Sequence, residues 1–159
     1  MLKEDTDERF MKAALQEAQK ALEKDEVPVG AVVVAGGQII ARAHNLTETL
    51  NDPTAHAEMQ AITAAAGYLG GKYLTGCTMY VTVEPCPMCA GALNWSQISS
   101  LVYGAADEKR GYTTLQTSML HPKTSEKKGI MENECRALMT GFFRKKRIKG
   151  MQNGTGIVD

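Results

Sequence analysis

The 159-residue sequence has no surplus of either charge: 18 Lys and Arg stand against 18 Asp and Glu. That balance excludes a protein that coats nucleic acid indiscriminately, because such binding draws on an excess of cations to displace counterions. Long apolar runs are missing as well. The longest uncharged stretch, Pro85 to Ala106, is interrupted by Pro87, Asn94, Ser96 and Gln97. It holds nothing close to the roughly 18 apolar residues of a membrane span. The opening Met1-Leu2-Lys3-Glu4-Asp5 is polar and acidic, so no signal peptide is expected. Cysteine is scarce, with four in the chain. Where no secretory leader is expected, such a set points to a metal site or reactive thiols before a disulfide framework. The expected location is cytoplasmic.

What remains is ordinary globular material, 43% hydrophobic and 23% charged, and long enough for one domain with a real core. We read it as a single domain over 1–149 with a flexible tail at 150–159. Phe10, Ala14, Leu15, Ala18 and Leu22 recur at helical spacing, which predicts a helix over Asp7–Leu22. Ala31–Val34 and Gln38–Ala43 read as strands joined by a Gly36-Gly37 hairpin turn. After the polar loop Asn45–Asp52 come a helix over Ala55–Ala66, a strand over Thr78–Val83 and a helix from Pro87 to about Ser96. Leu101–Tyr103 is a further strand, Ala105–Thr124 is mostly irregular, and a last helix covers roughly Met131–Lys146. The order α-β-β-α-β-α-β, then a loop region and a final helix, predicts a three-layer α/β domain with parallel pairing at its later crossovers.

Two segments carry chemistry, Thr54-Ala55-His56-Ala57-Glu58 and Val83-Glu84-Pro85-Cys86-Pro87-Met88-Cys89. Zinc takes imidazole and thiolate ligands in a tetrahedron, and a catalytic site leaves one position open for water. Cys86 and Cys89, three apart at the start of a helix, lie on one face, and the positive helix N-terminus favours their thiolates. His56 can supply a third ligand. Glu58 is placed to take a proton from zinc-bound water without binding the metal. Either half alone is weak, since a C-x-x-C is often a structural half-site or a redox pair. A structural site would want a fourth protein ligand. His44 and His121 lack suitable spacing for that role, and Cys77 and Cys135 read as buried thiols.

The combination of H-x-E with P-C-x-x-C is a general signature of zinc deaminases acting on nucleobases, the bacterial tRNA deaminases included. From about Phe10 to Arg147 the sequence resembles the bacterial tRNA-specific adenosine deaminases of the cytidine deaminase-like superfamily. The matching blocks include Glu26–Val32, Ala43-His44-Asn45, Asp52–Met59, Tyr80–Cys86, Met88–Ala92, Val102–Ala105 and Phe142-Phe143-Arg144. The resemblance implies a three-layer α-β-α fold with helices on both faces of a mixed sheet of about five strands. It also implies a homodimer, one zinc ion per subunit, and hydrolysis of the wobble adenosine of a tRNA anticodon loop to inosine. His56, Cys86 and Cys89 would hold the metal, with Glu58 as the proton shuttle. Asn45 would bond the base edge, and Val29, Ala57 and Pro85 would line the pocket. Asp107 would meet the ribose, and Phe142, Phe143 and Arg144 the anticodon loop.

The sequence departs from that family at Pro87 and Trp95, which are similar to features of guanine deaminases, and at Tyr112-Thr113-Thr114, where small residues are expected. The stretch around Leu120–Lys123 is also shorter. A deaminase of a free base or nucleoside is therefore a second reading, and a non-catalytic RNA-binding protein a third, which the intact Glu58 opposes. Neutral overall charge hides one more feature. Arg144, Lys145, Lys146, Arg147 and Lys149 fall in a segment, Leu138–Gly150, that has no acidic residue. Removing those five cations from 18 leaves 13 against 18 acids elsewhere. Such a run is usually solvated surface; beside two Phe residues it can also grip phosphate.

Overall fold

In the computed structural model, the described residues run from Asp5 to Gln152, in the order α1 (Thr6–Glu23), β1 (Gly30–Ala35), β2 (Gln38–His44), α2 (Ala57–Leu69), β3 (Cys77–Val83), α3 (Pro87–Ser96), β4 (Ser100–Ala105), β5 (Ser125–Lys128) and α4 (Glu132–Gln152). A single turn of 3-10 helix at Tyr112–Thr114 lies between β4 and β5. The five strands form one mixed sheet in the order β2-β1-β3-β4-β5. β1 runs antiparallel to β2 and β3, whereas β3–β4 and β4–β5 are parallel.

Side-chain alternation along the strands divides the core in two. Val32, Val34, Tyr80 and Val102 point to the face covered by α1 and α4, where they meet Phe10, Met11, Ala14 and Cys135. Ala31, Val33, Met79, Val81, Leu101 and Tyr103 point to the opposite face, against Ala57, Ala61 and Ala65 of α2 and Leu93 of α3. Central strands buried on both faces read as near-continuous apolar runs, as Ala31–Val34 and Met79–Val83 do. The β1–β2 turn uses Gly36 at φ 58° and Gly37 at φ 77°, the left-handed pair that a two-residue hairpin requires. Gly104 in β4 is glycine for space: a Cβ there would run into Cys135 Sγ, so α4 could not lie this close to the sheet.

The expected three layers, hairpin and four helices are all present. β5 is a strand that the sequence does not announce: Ser-Glu-Lys-Lys is exposed throughout, and its backbone pairing with β4 makes it a strand. α2 passes through Gly67 and ends only where Gly70 adopts φ 72°. α4 continues to Gln152, past the expected boundary at 149, and the rest of the expected tail, 153–159, lies outside the described residues.

Candidate metal centre and active site

α2 and α3 start on the same side of the sheet, and their first residues converge at the carboxyl end of β3, where sites in sheets with parallel strands usually lie. His56 is the N-cap residue of α2, and Cys86 that of α3, with Pro87 in the first turn, where its missing N–H costs nothing. The His56 side chain makes no cap bond to its own helix, whereas Cys86 takes bonds from Cys89 in the first turn of α3. The two cap side chains turn toward each other. His56 Nδ1 lies 3.6 Å from Cys86 Sγ and 3.4 Å from Cys89 Sγ, and all three ligand atoms fall within 4.8 Å of one another. Zinc–nitrogen bonds of about 2.0 Å and zinc–sulfur bonds of about 2.3 Å at the tetrahedral angle give a nitrogen–sulfur edge of about 3.5 Å. The triangle therefore fits zinc, with three protein ligands and a fourth position for water. His44 and His121 are engaged elsewhere: His44 Nδ1 meets Glu17 at 3.1 Å, and His121 Nδ1 accepts the Lys123 N–H.

Glu58, in the first turn of α2, is 4% exposed, and its carboxyl hydrogen-bonds with the Cys89 thiol. Burial pushes that carboxyl up to about 7, where it can both accept and release a proton near neutrality. Among the protein groups alone, the hydrogen bond from Cys89, together with His56 and the Cys89 backbone N–H, brings Cys86 down to about 4. Cys89 moves up as the thiol that bonds it, and the hydrogen bond to Cys86 raises His56. A thiolate already held at Cys86 is the state a metal needs.

Around this centre, Ala57 is fully buried at the start of α2, and Pro85 is buried directly before Cys86. Val29 is half-buried, and its carbonyl accepts the Asn45 N–H at 3.1 Å. The Asn45 amide, 6% exposed, makes only long bonds, to Val27 O at 3.4 Å and from Thr47 N at 3.3 Å. Asp107 follows β4, and its Oδ1 accepts the N–H groups of Lys109 and Arg110. Phe142, Phe143 and Arg144 are not among these groups. They lie on α4, which covers the other face of the sheet. Phe142 is 6% exposed in the seam with α1, and Lys146 sits over its ring while also pairing with Asp25 at 3.3 Å. Of the two rings, half-buried Phe143 is the one with surface to offer, beside exposed Arg144, Lys145 and Lys149.

Sequence reasoning passed over two buried carboxylates that brace the loops beside the centre. Glu26, fully buried, accepts the N–H groups of Glu48 and Thr49 at 3.0 and 2.7 Å and so fixes the loop after Asn45. Glu84, 4% exposed, does the same for the loop after β4. The signal in each case is an acid set among apolar and proline residues, in Glu26-Val27-Pro28 and Val83-Glu84-Pro85.

Comparison with known proteins places this geometry among deaminases. The MafB19-like deaminase family matches residues 4–147. A tRNA-specific adenosine deaminase of Bacillus subtilis (strain 168) is 48% identical over 148 residues, covering 90% of this chain and 92% of the relative. A solved tRNA:A34 deaminase that performs A-to-I editing at the wobble position superposes with a TM-score of 0.76 at 43% identity, covering 82% of this chain and 98% of the other. A guanine deaminase from Bacillus subtilis gives a TM-score of 0.60 at 42% identity, over 62% of this chain and 64% of the other.

Proposed function

The chain belongs to the MafB19-like deaminase family and, among deaminases, to those specific for tRNA adenosine, and on that premise we propose that it hydrolyses the wobble adenosine of an anticodon loop to inosine. The observation that carries this reading is the His56–Cys86–Cys89 triangle with buried Glu58 against Cys89, in a chain 48% identical to a tRNA-specific adenosine deaminase. His56 Nδ1, Cys86 Sγ and Cys89 Sγ would hold one zinc ion per subunit, and its chemistry there would be to acidify a water for attack on C6 of adenine at neutral pH. Glu58 accepts the proton of that water and delivers it to the ring nitrogen beside C6. It then carries the second proton to the departing amine. The C6–N bond breaks, a C6 carbonyl forms, and ammonia leaves, with one water consumed.

Asn45, whose long hydrogen bonds are easily exchanged, reads the base edge, because its amide both donates and accepts. Val29, Ala57 and Pro85 wall the base from solvent, and Asp107 meets the ribose. A base stacked in a duplex could not reach a centre recessed at the strand ends, so the substrate is a splayed loop nucleotide. Phe143, Arg144 and the cations that follow on α4 meet the flanking anticodon loop, with Phe142 supporting them from the seam with α1. The molecule works as a homodimer in the cytoplasm, where its tRNA substrate is found. Support for the dimer comes from exposed apolar side chains on the α2–α3 layer: Trp95 is 85% and Tyr68 68% exposed.

The match to a guanine deaminase favours a free-base substrate as the second reading. Of the two residues behind it, only Pro87 has a structural role in this fold. Pro87 opens a helix, and Trp95 faces solvent at the far end of α3. Ammonia release from free guanine, cytidine and adenosine, set against release from an adenosine-wobble stem-loop, separates the readings. Turnover of the stem-loop alone is expected; faster turnover of a free base would overturn the proposal.

A further inference from the structure

Glu84 occupies the single position between the end of β3 and the Pro85-Cys86 turn. A carboxylate this deeply buried is tolerated only when hydrogen bonds replace its water. Among the described residues, all of its side-chain hydrogen bonds come from one loop. Oε1 accepts the Asp107 N–H at 3.2 Å, and Oε2 accepts both the Thr113 N–H at 3.0 Å and the Thr113 hydroxyl at 2.8 Å. Next to it, the Tyr112 N–H donates to Pro85 O at 2.9 Å. Gly111 has an ordinary φ of −65°, so it is glycine for room and not for backbone freedom: a Cβ would run into Glu84 Oε2. The loop so held exposes Lys109 and Arg110 to solvent, while their backbone N–H groups close on Asp107. Thr113, a departure from the small residues expected there, thus has a reason: it completes the clamp.

We infer that Glu84 is a positioning residue for the RNA, clamping residues 107–113 onto the strand end that carries Cys86 so that Lys109 and Arg110 meet phosphates beside a base held at the metal centre. The inference rests on the RNA reading of the site. Glu84 touches neither the ligand atoms nor the reacting base; it sets the distance between the metal-binding turn and the cationic rim.

The test uses the full zinc-loaded protein with E84Q, which puts a donor where an acceptor is needed, and G111A, which wedges the clamp from the loop side. Losing a hydrogen bond to a buried charge should raise KM for an adenosine-wobble stem-loop about tenfold in each variant, with kcat held within about twofold. Zinc content should stay at the wild-type level. The Asp107 and Thr113 amides should exchange hydrogen faster, while those of Met79–Val81 stay protected. The E84Q/G111A double variant should be little worse than the more damaged single variant, because both open one contact. Unchanged KM with lost zinc or lost kcat would overturn the inference, as would unchanged exchange in the loop. If E84Q does not fold, G111A decides on the same readouts. If the wild-type protein makes no inosine in the stem-loop, the RNA reading has failed, and the clamp is then judged on exchange alone.

Discussion

Replacing Glu58 by glutamine should remove turnover and, in the metal-free protein, raise stability at alkaline pH. The two effects share one cause. The carboxyl is 4% exposed, and burial moves it from an ordinary value near 4.5 up to about 7. Between those pH values the folded chain holds a proton that the unfolded chain has released, so stability falls as pH rises through this window. At about 1.4 kcal/mol per pH unit, the full penalty above pH 7 is roughly 3 kcal/mol. The amide of the E58Q variant never ionises and escapes it. Urea unfolding of EDTA-stripped wild type and E58Q should therefore give similar stabilities near pH 4.5. A gap of a few kcal/mol in favour of the variant should open by pH 8. In the zinc-loaded protein the same substitution should slow single-turnover inosine formation by about 10²- to 10⁴-fold, the usual worth of a positioned acid–base group. A stability gap that is the same at both pH values refutes the burial argument. Deamination by E58Q at the wild-type rate refutes the assignment of the proton shuttle.

Three further outcomes follow from the site and its surroundings. His56→Ala and Cys89→Ala each delete one corner of a triangle whose nitrogen–sulfur edges measure 3.4 and 3.6 Å, and should leave far less than one zinc per chain by atomic absorption. Full zinc occupancy in either variant would exclude that residue as a ligand. Burial works against ionised Glu26, but bonds from Thr49 and Glu48 outweigh it and hold its carboxyl below the ordinary value. Its stabilising contribution is thus present above about pH 4.5 and fades as pH falls. Glu26→Gln should cost about 1.5–3 kcal/mol at pH 7 and show a shallower loss of stability below pH 5 than wild type; parallel urea midpoints across that range would contradict this. Lys145→Gln and Lys149→Gln on the exposed side of α4 should each weaken tRNA binding and lower the slope of log affinity against log salt by about one, read by fluorescence anisotropy. An unchanged slope would remove that residue from the phosphate contacts.

The elements read correctly from sequence are those whose cause is local. α1 shows its apolar stripe, the hairpin its Gly36-Gly37 pair, and α3 its first-turn proline. The meeting of His56, Cys86 and Cys89 was legible because each of the two motifs opens a helix directly after a loop or strand, so that two short segments imply one meeting point. β5 was not legible, because an exposed Ser-Glu-Lys-Lys edge strand has no apolar alternation; its charges suit an edge that must not pair further. The helix ends were misjudged where a glycine, Gly67 or Gly150, continues a helix instead of ending it: α2 runs on to Leu69 with its last residues exposed, and α4 to Gln152. Glu26 and Glu84 were invisible as braces because their partners are backbone N–H groups of distant loops, which carry no signature in side-chain identity. Phe142 belongs to the seam between α1 and α4, a placement that its neighbour Phe143 gives no hint of. The neutral net charge, finally, conceals a basic helix face that composition alone could not show.

Where inosine forms decides whether this chain edits an anticodon. Zinc-loaded protein incubated with an anticodon stem-loop carrying adenosine at the wobble position, and with a matched stem-loop whose adenosines all lie in the paired stem, should be followed by nucleoside mass analysis. Inosine should appear at the wobble position of the first RNA, with one ammonia released per inosine, and none should appear in the second. Deamination of stem adenosines at a comparable rate, or no inosine in either RNA from fully zinc-loaded protein, would contradict the proposed reaction.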